Sequence, residues 1–408
     1  MKKKYIFLVI AVLLSIGVYF LLFYKDKSLK YIPENADVVV LIDVKKATRQ
    51  YISSFLMHPS KLIEDSKKDK NKISISGSGL KIPDLLQVFH LNNTKISEWY
   101  TVLEIKDKAK FLEFLKNRQF VNDGKDRFKN DQLFIKIDGE KCIVGTSNLN
   151  FKNIGKPFSQ KFRDQILKSD SFMNDGLGSI SFISEVRTQN FSINVKDDEI
   201  EIKNETNSIN FESLISDLNN ETQFLNVELD PENIKKISSV FKENSSDSLS
   251  VNCLKMRAAL SEVNDTIISY GYDDDFNEIE KVSYQKIVQP DYEILLQSSN
   301  PNKTLEYFKR KKWMNEQDQF TAIPFQPNLI SHNKDQISIR SPRKSVKLSD
   351  YKKQNYIFIK NDPLLYSSFK MLNNQFFKDI EYLFYGNKAQ NYTVKIKFKK
   401  KKYPLILR

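Results

Sequence analysis

The sequence contains few of the residue types that most often carry catalysis or bind metals. It has two cysteines and three histidines among 408 residues. This composition argues against a disulfide-rich secreted scaffold and against a zinc site built from closely spaced Cys and His. Glycine and proline are also scarce, at 11 and 12 residues, which argues against collagen-like, linker-like and low-complexity architectures.

Motifs for common reaction types are incomplete. The Gly-x-Gly sequences at 77–79 and 176–178 lack the third glycine of a dinucleotide loop, and we interpret both as turns that need positive φ. Ser-x-x-Lys begins at Ser341, Ser349 and Ser367 without its partner motifs. Such matches are expected by chance in a chain rich in serine and lysine.

One further pattern resembles a calcium loop. Asp273, Asp275 and Asn277 have the required spacing, but the glycine and the final glutamate of such a loop are missing. A hairpin turn is therefore favoured at this position. The sequence predicts no catalytic residue, no cofactor and no metal.

Apolar residues are concentrated in one stretch near the N-terminus. Twenty uncharged residues, from Tyr5 to Tyr24, follow three lysines, and this length can cross a bilayer as one helix. The positive-inside bias predicts that residues 1–4 stay in the cytoplasm and that the rest is exported. Leu14 and Phe20 lie within this predicted transmembrane anchor, and Tyr24 is expected at its outer boundary.

The alternative is a signal peptide that is cleaved after Gly17. The apolar run continues from 18 to 23, whereas a cleavable signal usually turns polar near the cut, so an uncleaved anchor is favoured. The sequence then predicts a single-pass protein of the inner membrane with a periplasmic ectodomain. Nucleic acid is not an expected partner in that compartment.

The exported part contains a weak internal repeat. Asp43 and Asp230 each follow an apolar run, and each is predicted to cap the helix that comes next. Alternating strands around Phe191 and Tyr392 are matched as later members of the two copies. The order of these matches indicates a duplication.

We therefore predict an α+β fold made of two similar domains. A linker at 25–30 precedes the first domain at 31–215, and the second domain spans 216–408. Short hairpins such as the one at 270–275 indicate mainly antiparallel sheets. The helices are expected to cover one face of each sheet.

Three short segments resemble a known family. YIPENADV at 31–38, directly after a single anchor, is similar to uncharacterised bacterial envelope proteins, as are Ile-Pro-Asp at 82–84 and Trp-Tyr at 99–100. Such proteins carry a duplicated α+β ectodomain of unknown function. The resemblance implies a Gram-negative inner-membrane or periplasmic setting and supplies no catalytic residue.

Charge is distributed unevenly along the chain. Residues 205–280 carry sixteen acidic and five basic groups, whereas residues 281–408 carry ten acidic and 25 basic groups. Lysines on the polar side of the last predicted strand, and in the run after it, are the candidate surface for anionic partners. They are Lys395, Lys397, Lys399, Lys400, Lys401 and Lys402. Protection of an edge strand is the favoured role for these lysines.

Cys142 and Cys253 fall in different predicted domains, so two buried free thiols are favoured over a disulfide. Together these patterns predict a membrane-anchored, non-enzymatic ectodomain that binds or scaffolds. Its expected partners are the lipid bilayer, through the anchor, and an envelope protein or an anionic glycan or lipid. The alternative is an envelope hydrolase with catalytic carboxylates between the two domains, since such residues need no local motif.

Overall fold

The chain divides into two compact units, which are Met1–Glu205 with Lys401–Arg408, and Thr206–Lys400. The structure is a computed structural model that describes residue 13 and residues 16–61, 77–131, 133–159, 167–184, 187–204, 210–240, 251–274, 276–323, 328–344, 346–348, 354–368 and 374–408. Both units combine helices with antiparallel strands. The predicted α+β class with mainly antiparallel sheets is confirmed.

The first unit is built on an antiparallel sheet. Its strands are β1 (Ser28–Leu29), β2 (Ala36–Asp43), β3 (Leu85–Leu91), β4 (Trp99–Glu104), β5 (Val121–Asn122), β6 (Arg127–Asn130), β7 (Leu133–Asp138), β8 (Lys141–Gly145), β9 (Leu167–Lys168), β10 (Gly178–Ile183), β11 (Thr188–Val195) and β12 (Glu199–Lys203). Its helices are α1 (Val44–Met57), α2 (Lys108–Asn117) and α3 (Phe151–Ser159). The strand order is β12-β11-β10-β2-β3-β4-β8-β7-β6-β5, and β1 pairs separately with β9.

The helices of the first unit pack on both faces of this sheet. Phe111 of α2 clusters with Cys142 of β8. Phe151 of α3 instead packs edge-to-face on Tyr100, with ring centroids 6.2 Å apart. Tyr100 pairs with Gly145, three residues from Cys142, so the two contacts lie on opposite sides of the pleat. The prediction that helices cover one face is wrong for this unit.

The second unit is also built on an antiparallel sheet. Its strands are β13 (Leu225–Leu229), β14 (Val251–Tyr272), β15 (Glu278–Ser298), β16 (Leu329–His332), β17 (Gln336–Arg340), β18 (Asn355–Lys360), β19 (Ile380–Lys388) and β20 (Asn391–Phe398). Its helices are α4 (Glu212–Asn220), α5 (Pro231–Val240), α6 (Pro301–Arg310), α7 (Pro363–Ser368) and α8 (Gln375–Asp379). The strand order is β20-β19-β18-β13-β14-β15-β17-β16.

The second order has the same topology as β12-β11-β10-β2-β3-β4-β8-β7 in the first unit. In this comparison β20 occupies the position of β12. The sequence match between Phe191, which lies in β11, and Tyr392, which lies in β20, is therefore displaced by one strand. The alternation of apolar and polar residues predicted both strands correctly. It could not show which strand of a hairpin in one unit corresponds to which strand in the other.

Both predicted helix caps are present. The backbone N–H of Lys46 donates to the Asp43 carboxylate at 2.7 Å, and that of Asn233 donates to Asp230 at 2.8 Å. Asp43 is buried and also forms a 2.7 Å ion pair with Lys25. A capping carboxylate satisfies N–H groups that the helix itself leaves without a partner.

The limits of the units differ from the predicted domain limits. The predicted boundary between 215 and 216 falls inside α4, whereas the two units meet at Glu205 and Thr206. The last eight residues belong to the first unit, where the Leu405 N–H donates to the Asp197 carbonyl at 2.7 Å. Local sequence patterns could not predict that the C-terminal residues pack on the first unit.

Glycine has two different roles in the segments interpreted as turns. Gly79 has φ of +76°, as predicted, and its carbonyl accepts from Lys106 and Asp107 at 2.8 and 2.9 Å. Gly178 does not have positive φ. It is required for space, because an added Cβ would lie 2.4 Å from the Leu41 carbonyl oxygen on the neighbouring strand.

Gly79→Ala tests how strongly this turn limits the first unit. We expect the free energy of unfolding to fall by about 3–5 kcal/mol, since strain at positive φ adds to overpacking. Overpacking is expected because the new Cβ would lie 2.3 Å from the Asp107 carbonyl oxygen. The control is Gly139→Ala, at φ +61° in open space, with an expected loss of about 1–2 kcal/mol. Urea titration measures both, and equal losses would contradict the steric argument.

Candidate interaction surface

The most prominent exposed feature of the second unit is a long two-stranded arm. In the sheet, β14 pairs with β13 as far as Ala258, and β15 pairs with β17 as far as Glu293. Beyond these registers β14 and β15 continue to pair with each other up to Tyr272 and Glu278. We define residues 261–272 and 278–289 as the arm, which is about 40 Å long at the usual rise of a strand.

The tip of the arm is a turn closed by one aspartate. The Asp273 carboxylate accepts from the backbone N–H of Asn277 at 2.7 Å and from its side-chain amide at 3.1 Å. Phe276 adopts positive φ within the turn. The hairpin turn favoured by the sequence is confirmed, and the carboxylate considered for calcium serves the turn instead. Asp275 lies outside the described residues.

Strand register collects apolar side chains on one face of the arm. Residues paired across an antiparallel ladder point to the same face, and successive residues of a strand alternate. Ile268 pairs with Val282, and Thr266 pairs with Tyr284. The two pairs are two residues apart on each strand, so all four side chains point to the same face. The resulting aromatic face consists of Ile268, Tyr270, Tyr272, Val282 and Tyr284. These side chains are between 50% and 74% exposed.

The tip of this hairpin was predicted from the sequence, but the aromatic face was not. The missing signal was the alternation of Ile268, Tyr270 and Tyr272, which continues in Val282 and Tyr284. Alternation is usually a sign of a strand with one buried face. Here the same pattern marks a face that the second unit leaves exposed.

The arm is acidic as well as apolar. The arm itself contains four acidic and two basic groups, and the turn at its tip adds three aspartates at 273–275. Glu278 and Glu280 are paired with Tyr272 and Tyr270, so carboxylates lie on the same face as the aromatic rings. One cross-strand ion pair, between Lys286 and Glu262 at 3.0 Å, lies nearer the sheet. The surface therefore combines apolar area with a negative potential.

A buried polar cluster holds the root of the arm. Asp291 is 2% exposed and accepts from the Ser261 hydroxyl at 2.6 Å. Arg343 lies 3.4 Å from the same carboxylate and donates to the Ser261 oxygen at 2.8 Å. A buried carboxylate needs such partners, because its desolvation is otherwise costly. The cluster fixes both strands where they leave the sheet.

Asp291→Ala tests the contribution of this cluster. We expect the free energy of unfolding of the second unit to fall by about 2–4 kcal/mol, since Arg343 loses its carboxylate partner. Amide hydrogen exchange in the arm should also accelerate. Glu280→Ala, at an exposed ladder position of the arm, is the control and should change stability by less than about 0.5 kcal/mol. Similar losses in the two variants would contradict a special role for the root.

Two of the three histidines take part in structural contacts. The buried His90 places Nδ1 2.7 Å from the Asp37 carboxylate and Nε2 2.9 Å from the Lys95 carbonyl. His58 Nδ1 lies 2.8 Å from the Ser54 carbonyl after α1. Among the residues that the structure describes, no group of three His, Cys, Asp or Glu side chains is arranged to hold a metal ion.

The Ser-x-x-Lys match at Ser341 also has a structural role. The Ser341 hydroxyl accepts from the Tyr292 N–H at 3.1 Å and donates to the Lys344 carbonyl at 3.1 Å. These bonds hold the strand that carries the root cluster. They leave the hydroxyl poorly placed to act as a nucleophile.

The predicted basic surface is only partly exposed. Lys395 is 5% exposed and forms an ion pair with the Glu212 carboxylate of α4, so its assignment to an exposed polar side was wrong. Lys397 is half-buried. The exposed members of the set are Lys399, Lys400, Lys401 and Lys402. The Lys395 side chain can be buried because the Glu212 carboxylate neutralises its charge.

The predicted anchor is covered only in part by the described residues. Tyr5 and Leu14 lie outside them, while residues 16–22 are helical and Phe20 and Tyr24 are exposed. Within the described part of the chain, no helix meets the length and hydropathy of a membrane span.

Both cysteines are free and buried, as predicted. Burial raises the pKa of the Cys142 thiol to about 12 and also raises the pKa of Cys253. A thiol with a raised pKa carries little thiolate near neutral pH, and the thiolate is the nucleophile. Neither residue is therefore placed for nucleophilic catalysis.

Thiol labelling checks this assignment. At pH 8 the folded chain should react with iodoacetamide more than 100-fold more slowly than a small thiol, because both groups are protonated and buried. In denaturant both thiols should react. Leu149→Cys, at an exposed position, is the control and should label rapidly in the folded state. Rapid labelling of the unmodified folded chain would contradict the assignment.

Comparisons with known proteins identify no family. No family model matches the chain, and no curated protein matches it. Among solved structures, crystal form III of TP0453 is similar over 78% of this chain and 93% of that chain, with 9% sequence identity and a TM-score of 0.23. A likeness at this level carries no argument about fold or function.

Proposed function

We propose that this chain is a membrane-tethered periplasmic protein that binds another envelope protein through the aromatic face of its arm. The observation that carries the proposal is the exposure of five apolar side chains on a ribbon of only two strands. Contiguous exposed apolar area on a soluble unit is a mark of an interaction surface. Tyrosine is also among the residues that most often dominate binding energy.

The physical form of the arm supports binding. An isolated two-stranded hairpin is at best marginally stable in water, because it has no second layer to bury its side chains against. The buried cluster at Asp291 holds only the root of the arm. A partner that covers the aromatic face would supply the missing layer.

The charge of the arm defines the kind of partner. The arm and the turn at its tip together carry seven acidic and two basic groups, which favour a partner segment that carries Lys or Arg beside apolar side chains. The same charge disfavours anionic lipid or glycan at the arm. We therefore assign the arm to a protein partner and not to the bilayer.

The N-terminal segment supports tethering. Val18, Phe20, Leu21 and Phe23 are exposed apolar side chains at the end of a run without charges. Tyr24 follows at the position of an interfacial aromatic residue, and lysines come next. These features are those of the outer end of a membrane helix.

We also propose that the two units arose by duplication, as in the uncharacterised bacterial envelope proteins that the sequence resembles. The shared strand order supports this proposal. The hairpin β3–β4 has strands of seven and six residues, whereas β14 and β15, in the same topological position, have 22 and 21. The arm is then an extension that distinguishes one copy from the other.

Site-specific photo-crosslinking tests the binding surface. A photoreactive residue at Tyr284 lies on the aromatic face, and the same residue at Ser283, also exposed, lies on the opposite face and is the matched control. In native membranes we expect a crosslinked product from position 284 and little from 283. The crosslinked peptide should contain Lys or Arg.

The double variant Tyr270→Ser/Tyr284→Ser then measures the contribution of the face. We expect affinity for the identified partner to fall at least tenfold, since buried aromatic anchors are often worth about 2 kcal/mol or more each. Equal crosslinking from both faces would count against the proposal. So would unchanged affinity in the double variant.

A further inference from the structure

The first helix of the first unit has an unusual surface. None of the fourteen residues of α1 is buried. The helix carries three basic residues and no acidic residue, and Leu56 is 74% exposed. Helices that are basic and apolar without acidic residues are typical of membrane surfaces.

This helix also holds the end of the N-terminal helical segment 16–22. Lys45 Nζ donates to the Phe20 carbonyl at 2.9 Å and also to that of Tyr24. Arg49 donates to the carbonyl of Leu22, at the last helical residue of the segment. Cations in these positions satisfy carbonyls that lack helical partners and complement the negative end of the helix dipole.

One face of α1 makes these contacts and then continues as exposed apolar surface. Lys45, Arg49, Ile52 and Leu56 are spaced by four, three and four residues, so they lie along one side of the helix. The first two hold the N-terminal segment. Ile52 and Leu56 are both exposed, and they extend this face away from the contact.

We propose that α1 lies on the periplasmic surface of the bilayer, with Ile52 and Leu56 inserted among anionic phospholipid headgroups beside the anchor. This inference rests on the proposed membrane anchor. The Lys45 and Arg49 contacts place α1 at the outer end of that anchor. The chain is therefore clamped to the membrane by a helix that runs along the surface as well as by one that crosses it.

Charge complementarity selects lipid as the occupant of this face. Lys45 forms a 3.2 Å ion pair with Asp84, but Lys46 and Arg49 donate to backbone carbonyls, which do not neutralise their charge. Basic residues near an anionic membrane surface are attracted to it. Apolar side chains on the same helix add burial in the headgroup layer.

Fluorescence quenching in vesicles tests the inference with three matched positions. Leu56→Cys, Leu21→Cys and Leu149→Cys replace leucines of the first unit that are 74%, 73% and 74% exposed. The full-length chain is reconstituted in vesicles of neutral and anionic phospholipid, and each new thiol carries an environment-sensitive dye. The two native cysteines are buried, so labelling is selective. A quencher attached to the lipid headgroup region reports contact with the bilayer.

We expect at least twofold stronger quenching at position 56 than at 149, and weaker quenching at 56 when anionic lipid is omitted. Quenching at 21 with none at 56 would overturn this inference and leave the anchor proposal standing. Absence of quenching at 21 would overturn the anchor and this inference together. A dye response at 56 that depends on protein concentration without lipid quenching would show that a second copy covers the face, which also contradicts the inference.

Discussion

The register of β14 against β15 is the constraint on which the exposed surface depends. Pairing Ile268 with Val282, and Thr266 with Tyr284, places the five side chains of the aromatic face on the same side of the arm. A slip of one residue would send the apolar members of one strand to the other face. The sheet fixes the register, because the same strands pair with β13 and β17 before they leave it. The root cluster around Asp291 then stabilises the pairing of β14 with β15 at the point where β13 and β17 no longer flank these strands.

Placing the surface on an extension of a regular hairpin has a structural consequence. The strands of the hairpin β3–β4 have only seven and six residues, and Phe89 and Tyr100 pack in the core of their unit. The longer hairpin leaves its core cluster near Tyr292, so the arm can vary in sequence without disturbing the sheet. Binding residues commonly lie on elements that a rigid scaffold positions but does not bury.

Local chemistry in the sequence predicted several features, and long-range geometry was the source of the errors. The caps at Asp43 and Asp230 and the turn at Asp273 follow from neighbouring residues alone. The burial of Lys395 depends on Glu212, which is far away in sequence, and alternation could not show it. The length of the arm was missed because a pattern of period two does not reveal whether a face is covered. The exposed face of α1 was missed because a helical pattern likewise does not reveal whether a face is covered.

The arm alone would support only modest affinity. Its five apolar side chains are partly buried already, so covering them contributes roughly 1–2 kcal/mol each. That sum is comparable to the roughly 4–15 kcal/mol lost in restricting two free molecules. If the chain is tethered as we propose and its partner lies in the same membrane, their effective concentration rises and this loss falls. A surface helix beside the anchor would restrict the first unit further. In the function we propose, the tether and the arm therefore both contribute to binding the same partner.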